Sequence, residues 1–101
     1  IADHGGLQVS YNAFKNAMKE APLTTIDGFT AEQRFFLAYA NVWAGNIRPE
    51  QILNQTKSDP HALGKWRVDG ALPQIGAWYE AFGIQPSDSM YLPVEKRVSI
   101  W

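Results

Sequence analysis

A mainly α fold, about four helices joined by long ordered connections, is what this sequence predicts. Three observations carry that expectation. Apolar residues recur at steps of three and four, the spacing of one helical face. A complete helix-start signature stands at Thr30. Prolines and glycines fall where helices begin and end. With 101 residues the chain is one domain or a piece of one.

Over residues 6–21 the apolar positions Leu7, Tyr11, Phe14 and Met18 share a face, with Asn12, Lys15, Asn16 and Lys19 opposite. Pro22 is expected to end this helix. The chain opens at Ile1, without Met, inside what reads as a helix already under way, so a fragment with a fraying first turn is expected. Gly5 and Gly6 remove two side chains and leave room for something to pack close. Residues 23–29 form a loop with Asp27-Gly28 as its turn signal.

Thr30-Ala31-Glu32-Gln33 is a capping box, and the helix behind it runs to about Ala44 and stops at Gly45. It carries Phe35, Phe36, Leu37, Tyr39, Ala40, Val42 and Trp43, apolar nearly all round, which predicts a central buried helix. Pro49 suits a first helical position, and the short helix it opens turns Ile52 and Leu53 inward and fades by Lys57. Pro73 opens another, through Ile75, Trp78, Tyr79 and Phe82, closed by Gly83. The aromatic set Phe35, Phe36, Tyr39, Trp43, Trp78, Tyr79 and Phe82 is assigned to the core. The tail, 85–101, is irregular but carries Met90, Tyr91, Leu92, Val98, Ile100 and Trp101. A tail that apolar is expected to dock on the body.

Composition excludes several roles. A formal net charge of −1 without a basic block leaves no electrostatic footprint for nucleic acid or an anionic membrane. No apolar run approaches the roughly 20 residues of a membrane span, and no signal peptide is visible. Without cysteine, neither disulfides nor a thiolate metal site can form. The motifs of zinc hydrolases of the His-Glu-x-x-His type, phosphate-binding loops and Gly-x-Ser-x-Gly nucleophile elbows are all missing.

What remains is a short polar stretch, residues 58–68, holding His61 and Arg67. Asp59-Pro60 favours a turn, and Gly64 and Gly70 flank Arg67, so this segment is not expected to be regular helix. His titrates near neutrality. The planar fork of Arg orients what it binds. Alone, His61 reads most simply as a surface or capping His, Arg67 as pairing a carboxylate or stacking on a ring, and Asp3 as a solvated carboxylate; Asp3-His4 is too small a set for a metal site. Glu95-Lys96-Arg97 reads as a solvated surface.

Several pieces, in order, change that balance. Ile1-Ala2-Asp3-His4-Gly5-Gly6-Leu7, Gln33-Arg34-Phe35-Phe36-Leu37, Ala40-Asn41-Val42-Trp43-Ala44-Gly45, Asp59-Pro60-His61-Ala62-Leu63-Gly64-Lys65-Trp66-Arg67-Val68, Ala81-Phe82 and Val98-Ser99-Ile100-Trp101 together span the chain. The set resembles the C-terminal end of the neprilysin family of zinc metalloendopeptidases, which includes the endothelin-converting enzymes and bacterial oligopeptidases; the bacterial type is the expected one. Ala62-Leu63 departs from the family's Ser-Pro. The resemblance implies that residues 1–101 are the C-terminal portion of a larger, thermolysin-like and mostly helical catalytic domain. It implies one zinc ion whose ligands lie outside this segment, one of them a Glu two positions before Ile1. Asp3 then accepts a hydrogen bond from a ligand His. His61 stabilises the transition-state oxyanion, with Asp59 close enough in sequence to tune it. Arg67 holds a substrate backbone carbonyl. Expected partners are a peptide substrate and the N-terminal remainder of the same polypeptide. The expected location is outside the cytosol, and the segment alone is expected to be inactive.

The rival expectation is a non-catalytic helical interaction module. Both predict an exposed apolar patch. They part at Asp3, His61 and Arg67, which the enzyme reading turns toward one cavity and the module reading scatters.

Overall fold

The computed structural model describes residues 1–100; Trp101 lies outside the described residues. Five α-helices follow one another: α1 (Ala2–Ala17), α2 (Ala31–Val42), α3 (Pro49–Ser58), α4 (Gly64–Ala71) and α5 (Gly76–Phe82). Single 3₁₀ turns occupy Leu72–Gln74 and Val94–Lys96. Among the described residues there is no β-strand, so the mainly α expectation holds, with one helix more than expected.

α1 begins at Ala2, four residues before the sequence pattern started it, and its Leu7, Tyr11, Phe14 and Met18 stripe is the side that is wholly or half buried. It stops at Ala17 rather than at the proline, and residues 18–21 continue in looser turns, with the Lys19 N–H donating to the Asn16 carbonyl at 3.3 Å and the Ala21 N–H to the Met18 carbonyl at 3.4 Å. Gly6 does not mark a close approach within this chain: a Cβ there would meet open space. In the following loop Asp27 and Gly28 both take positive φ, as a type I′ turn requires, and Ile26 and Phe29 exchange two 3.0 Å backbone hydrogen bonds across it. Arg34 fastens this loop to α2 by donating to the carbonyls of Thr24 and Phe29, both at 2.8 Å.

The capping box is complete: Thr30 Oγ1 accepts from the Gln33 N–H and Gln33 Oε1 accepts from the Thr30 N–H. α2 is less buried than its composition suggests. Phe36 is its deepest side chain, 1% exposed, while Leu37 is 41% and Val42 71% exposed. The Phe36 face meets α1 and α5, while Leu37 and Val42 on the outer side stay exposed. α3 starts on Pro49 as expected but buries nothing, and Ile52 and Leu53 stay exposed rather than turning inward.

The largest departure is α4. The stretch expected to avoid regular helix splits into a turn, 59–63, and a helix that contains both Gly64 and Gly70. Gly64 stands at the first helical position, where a side chain would collide with the Trp43 carbonyl. Contacts to α2 then hold the rest. α5 starts at Gly76, since Pro73 sits in the 3₁₀ turn before it, and ends at Gly83 with φ 62°, a left-handed cap that a side chain would strain.

The core gathers Leu7, Phe36, Ala71, Leu72, Ile75, Trp78 and Tyr79 from α1, α2, α5 and the α4–α5 junction. Tyr11 stacks on Phe36 with ring centroids 5.3 Å apart, and Phe35 meets both rings edge-on. The tail docks as expected over Met90, Tyr91 and Leu92, although Val98 stays exposed. Tyr79 Oη accepts from the Leu92 N–H at 3.0 Å, and the Arg97 guanidinium lies 3.6 Å over the Tyr79 ring while donating to the Leu92 carbonyl. The radius of gyration, 15.3 Å, exceeds the roughly 13 Å of a compact domain this long.

Candidate functional site

Asp3, on the first turn of α1, meets Arg67, in the middle of α4. The guanidinium grips the carboxylate with both arms: Nε donates to Oδ2 at 2.7 Å and Nη2 to Oδ1 at 2.6 Å. Two parallel charge-assisted bonds fix direction as well as distance. Both side chains are about three-quarters buried. The bond from Arg67 holds the Asp3 carboxyl below its ordinary value, against the opposing effect of burial, and the same bond pushes Arg67 up. Asp3 is therefore an anion and Arg67 a cation throughout the neutral range.

Trp43, at the C-terminal end of α2, forms a floor under this pair. The Arg67 guanidinium carbon stands 3.7 Å from its ring centroid, a close cation–π stack. One turn back, the Tyr39 hydroxyl donates to the Arg67 backbone carbonyl at 2.9 Å. α4 comes this close because Gly64 has no side chain: a Cβ there would stand 2.7 Å from the Trp43 carbonyl oxygen. The sequence placed Tyr39 and Trp43 in the apolar core. Tyr39 is half buried against it, whereas Trp43 stands outside it and serves the Arg. Helical periodicity cannot distinguish a ring packed by hydrocarbon from one stacked by guanidinium.

His61 sits in the turn before α4. Asp59 builds that turn, its Oδ1 accepting from the His61 backbone N–H at 2.9 Å and facing ring Nδ1 at 2.8 Å. The first contact closes an Asx-type turn around Pro60. The second leaves Nε2 as the outward-facing nitrogen. The two contacts, backbone first, keep the Asp59 carboxyl below its ordinary value. His61 itself is well exposed, 69% by side chain.

His61, Asp59, Trp43, Gly64 and Arg67 line one hollow of about 390 Å³ between α2, α3 and α4. Asp3 forms the back of this arrangement and also lines a second, apolar groove of about 400 Å³ between α1 and α2, with Gly6, Leu7, Phe35, Ala38 and Val42. The structure thus brings Arg67 and His61 to a common cavity and ties Asp3 to Arg67. His4, next to Asp3, points elsewhere: it is buried toward Gln74 and Ser99, and burial lowers its pKa. Among the described residues, no three His, Asp or Glu side chains converge as a metal site requires. None of the described helices is long and apolar enough to cross a membrane.

The fold is that of a helical metallopeptidase domain. It superposes on the Mycobacterium tuberculosis zinc metalloprotease Zmp1, in an inhibitor complex and in an open state, with a TM-score of 0.91 and 31% identity in each case. The overlap covers 98% of this chain and 15% of that one. The chain belongs to peptidase family M13, whose family model matches residues 1–98. It is 38% identical to neprilysin of Oryctolagus cuniculus and 37% to that of Homo sapiens, in each case over all of this chain and 14% of the relative. It is 35% identical to endothelin-converting enzyme 1 of Homo sapiens, over all of this chain and 13% of that protein. The chain thus spans about one seventh of the relatives' length.

Proposed function

We propose that this chain is the C-terminal portion of a catalytic domain, residues 1–101 throughout, and forms one wall of the cleft of a zinc-dependent endopeptidase that cuts oligopeptides. The observation that carries the reading is the common hollow of His61 and Arg67, with Asp3 anchoring Arg67 from a different helix. The module reading does not require His61 and Arg67 to share a hollow, whereas the enzyme reading does.

Arg67 binds a substrate backbone carbonyl with the guanidinium edge that Asp3 leaves free. A guanidinium has five N–H donors, and only two go to Asp3. His61 donates from Nε2 to the oxygen that becomes an oxyanion when the peptide carbonyl is attacked, with Nδ1 turned to Asp59. Each Asp3 oxygen keeps a further lone pair, so the carboxylate can also steady an imidazole N–H contributed by the rest of the parent. The residues present do not make up a zinc site, and the metal-holding groups belong to that same remainder. The apolar groove between α1 and α2 is where the remainder packs, and the 101 residues alone are inactive. An extracytoplasmic parent accords with the family resemblance.

The test compares the full-length polypeptide with the isolated chain on a peptide substrate, with zinc and then with a chelator. Chelator-sensitive cleavage by the full-length protein alone is expected. Cleavage by the isolated chain, or a full-length protein indifferent to chelation, overturns the proposal.

A further inference from the structure

Arg67 is held at two levels. Asp3 and Trp43 hold its guanidinium; Tyr39 holds its backbone. Tyr39 and Trp43 stand four residues apart, so α2 presents the hydroxyl and the indole on one face, one turn apart. α4 touches that face at two points three residues apart. Gly64 lies against the Trp43 carbonyl, and the Arg67 carbonyl accepts from Tyr39. Two fixed points on each helix set both the height and the rotation of α4, and with them the place of the guanidinium in the hollow. Tyr39 is suited to this because burial raises its pKa, which keeps the hydroxyl protonated and donating.

We propose that Tyr39 is a positioning residue for substrate binding: its hydroxyl, together with the close approach at Gly64, registers α4 on α2 so that Arg67 meets the substrate carbonyl. This rests on the carbonyl-binding role given to Arg67 above. It assigns a task to an oxygen that packing alone does not need, since the Tyr39 ring would fill the same space without it.

The experiment is a double-mutant cycle in the full-length polypeptide, with Y39F, R67A and the pair, reading KM and kcat on one peptide. Y39F removes only the oxygen. It is expected to raise KM about three- to tenfold, the size of one net hydrogen bond, with kcat changed by less than about twofold. R67A should raise KM further, and Y39F should add nothing to it. G64A, which forces α4 off Trp43, should raise KM in the same way and likewise lose its effect beside R67A. Y39F with wild-type KM, a fall confined to kcat, or effects of Y39F and R67A that multiply would each overturn the inference. R67A with wild-type KM would overturn the role of Arg67 itself, a separate and visible failure that takes this inference with it.

Discussion

Arg67 and Asp3 are 64 positions apart, yet they form the most directional contact between α1 and α4. The pair has a defined pH signature. Arg67 lowers the Asp3 carboxyl below its ordinary value of 3.8 in the folded state. A carboxyl depressed on folding adds stability that is complete above its unfolded value and disappears as pH falls through the folded one. The thermal midpoint of D3N should therefore lie below wild type at neutral pH, by an amount constant down to about pH 4 and shrinking below it. A gap that persists unchanged into strong acid would show that the pair is not its source.

His61 should separate from Arg67 kinetically. An oxyanion donor acts on charge that appears only as the reaction proceeds, so its loss falls on kcat. In the full-length polypeptide, H61A is expected to lower kcat by about 10²- to 10³-fold and leave KM nearly unchanged. A KM effect without a kcat effect would reassign His61 to ground-state binding.

His4 provides a second titration at higher pH. Burial lowers its pKa from the ordinary 6.5, so the folded chain prefers the neutral ring while the unfolded chain protonates first. Stability is thus full above the unfolded value and falls as pH drops below it, until the folded ring also protonates. The thermal midpoint should decline from about pH 6.5 downward, and H4Q should flatten that decline. Equal slopes in the two proteins would remove His4 as the cause.

The parts of this molecule legible in sequence are those set by neighbours in the chain. The Leu7–Tyr11–Phe14–Met18 stripe, the Thr30–Gln33 box, Pro49 and the left-handed Gly83 act within one or two turns, and each is found where the pattern put it. α4 was illegible because its support is tertiary. Gly64 reads as a breaker, but here it admits the Trp43 carbonyl; Tyr39 then holds the far side. The exposed apolar face of α2 misled for the opposite reason: its composition calls for cover that these residues do not supply. His61 and Arg67 stood out as one short polar stretch, but their roles and their link to Asp3 came from the resemblance, since no local pattern joins position 3 to positions 61 and 67. Trp43 carried no signal that could have moved it out of the core.

Gln33 offers a test of the difference between local and tertiary roles. Its Oε1 completes the capping box, while its Nε2 donates to the Ala81 carbonyl of α5 at 2.9 Å. Glutamate serves a capping box as well as glutamine does, so cap logic alone makes Q33E neutral. The structure says otherwise: a carboxylate cannot donate, and it would face the Ala81 oxygen across a partly buried contact. Q33E should cost about 1–3 kcal/mol in urea unfolding at neutral pH, as much as or more than the roughly 1 kcal/mol expected for T30A. Because a protonated carboxyl can donate again, part of the Q33E loss should return as pH falls through the glutamate range. A Q33E chain as stable as wild type at neutral pH would show that the Gln33–Ala81 bond does not fasten α2 to α5.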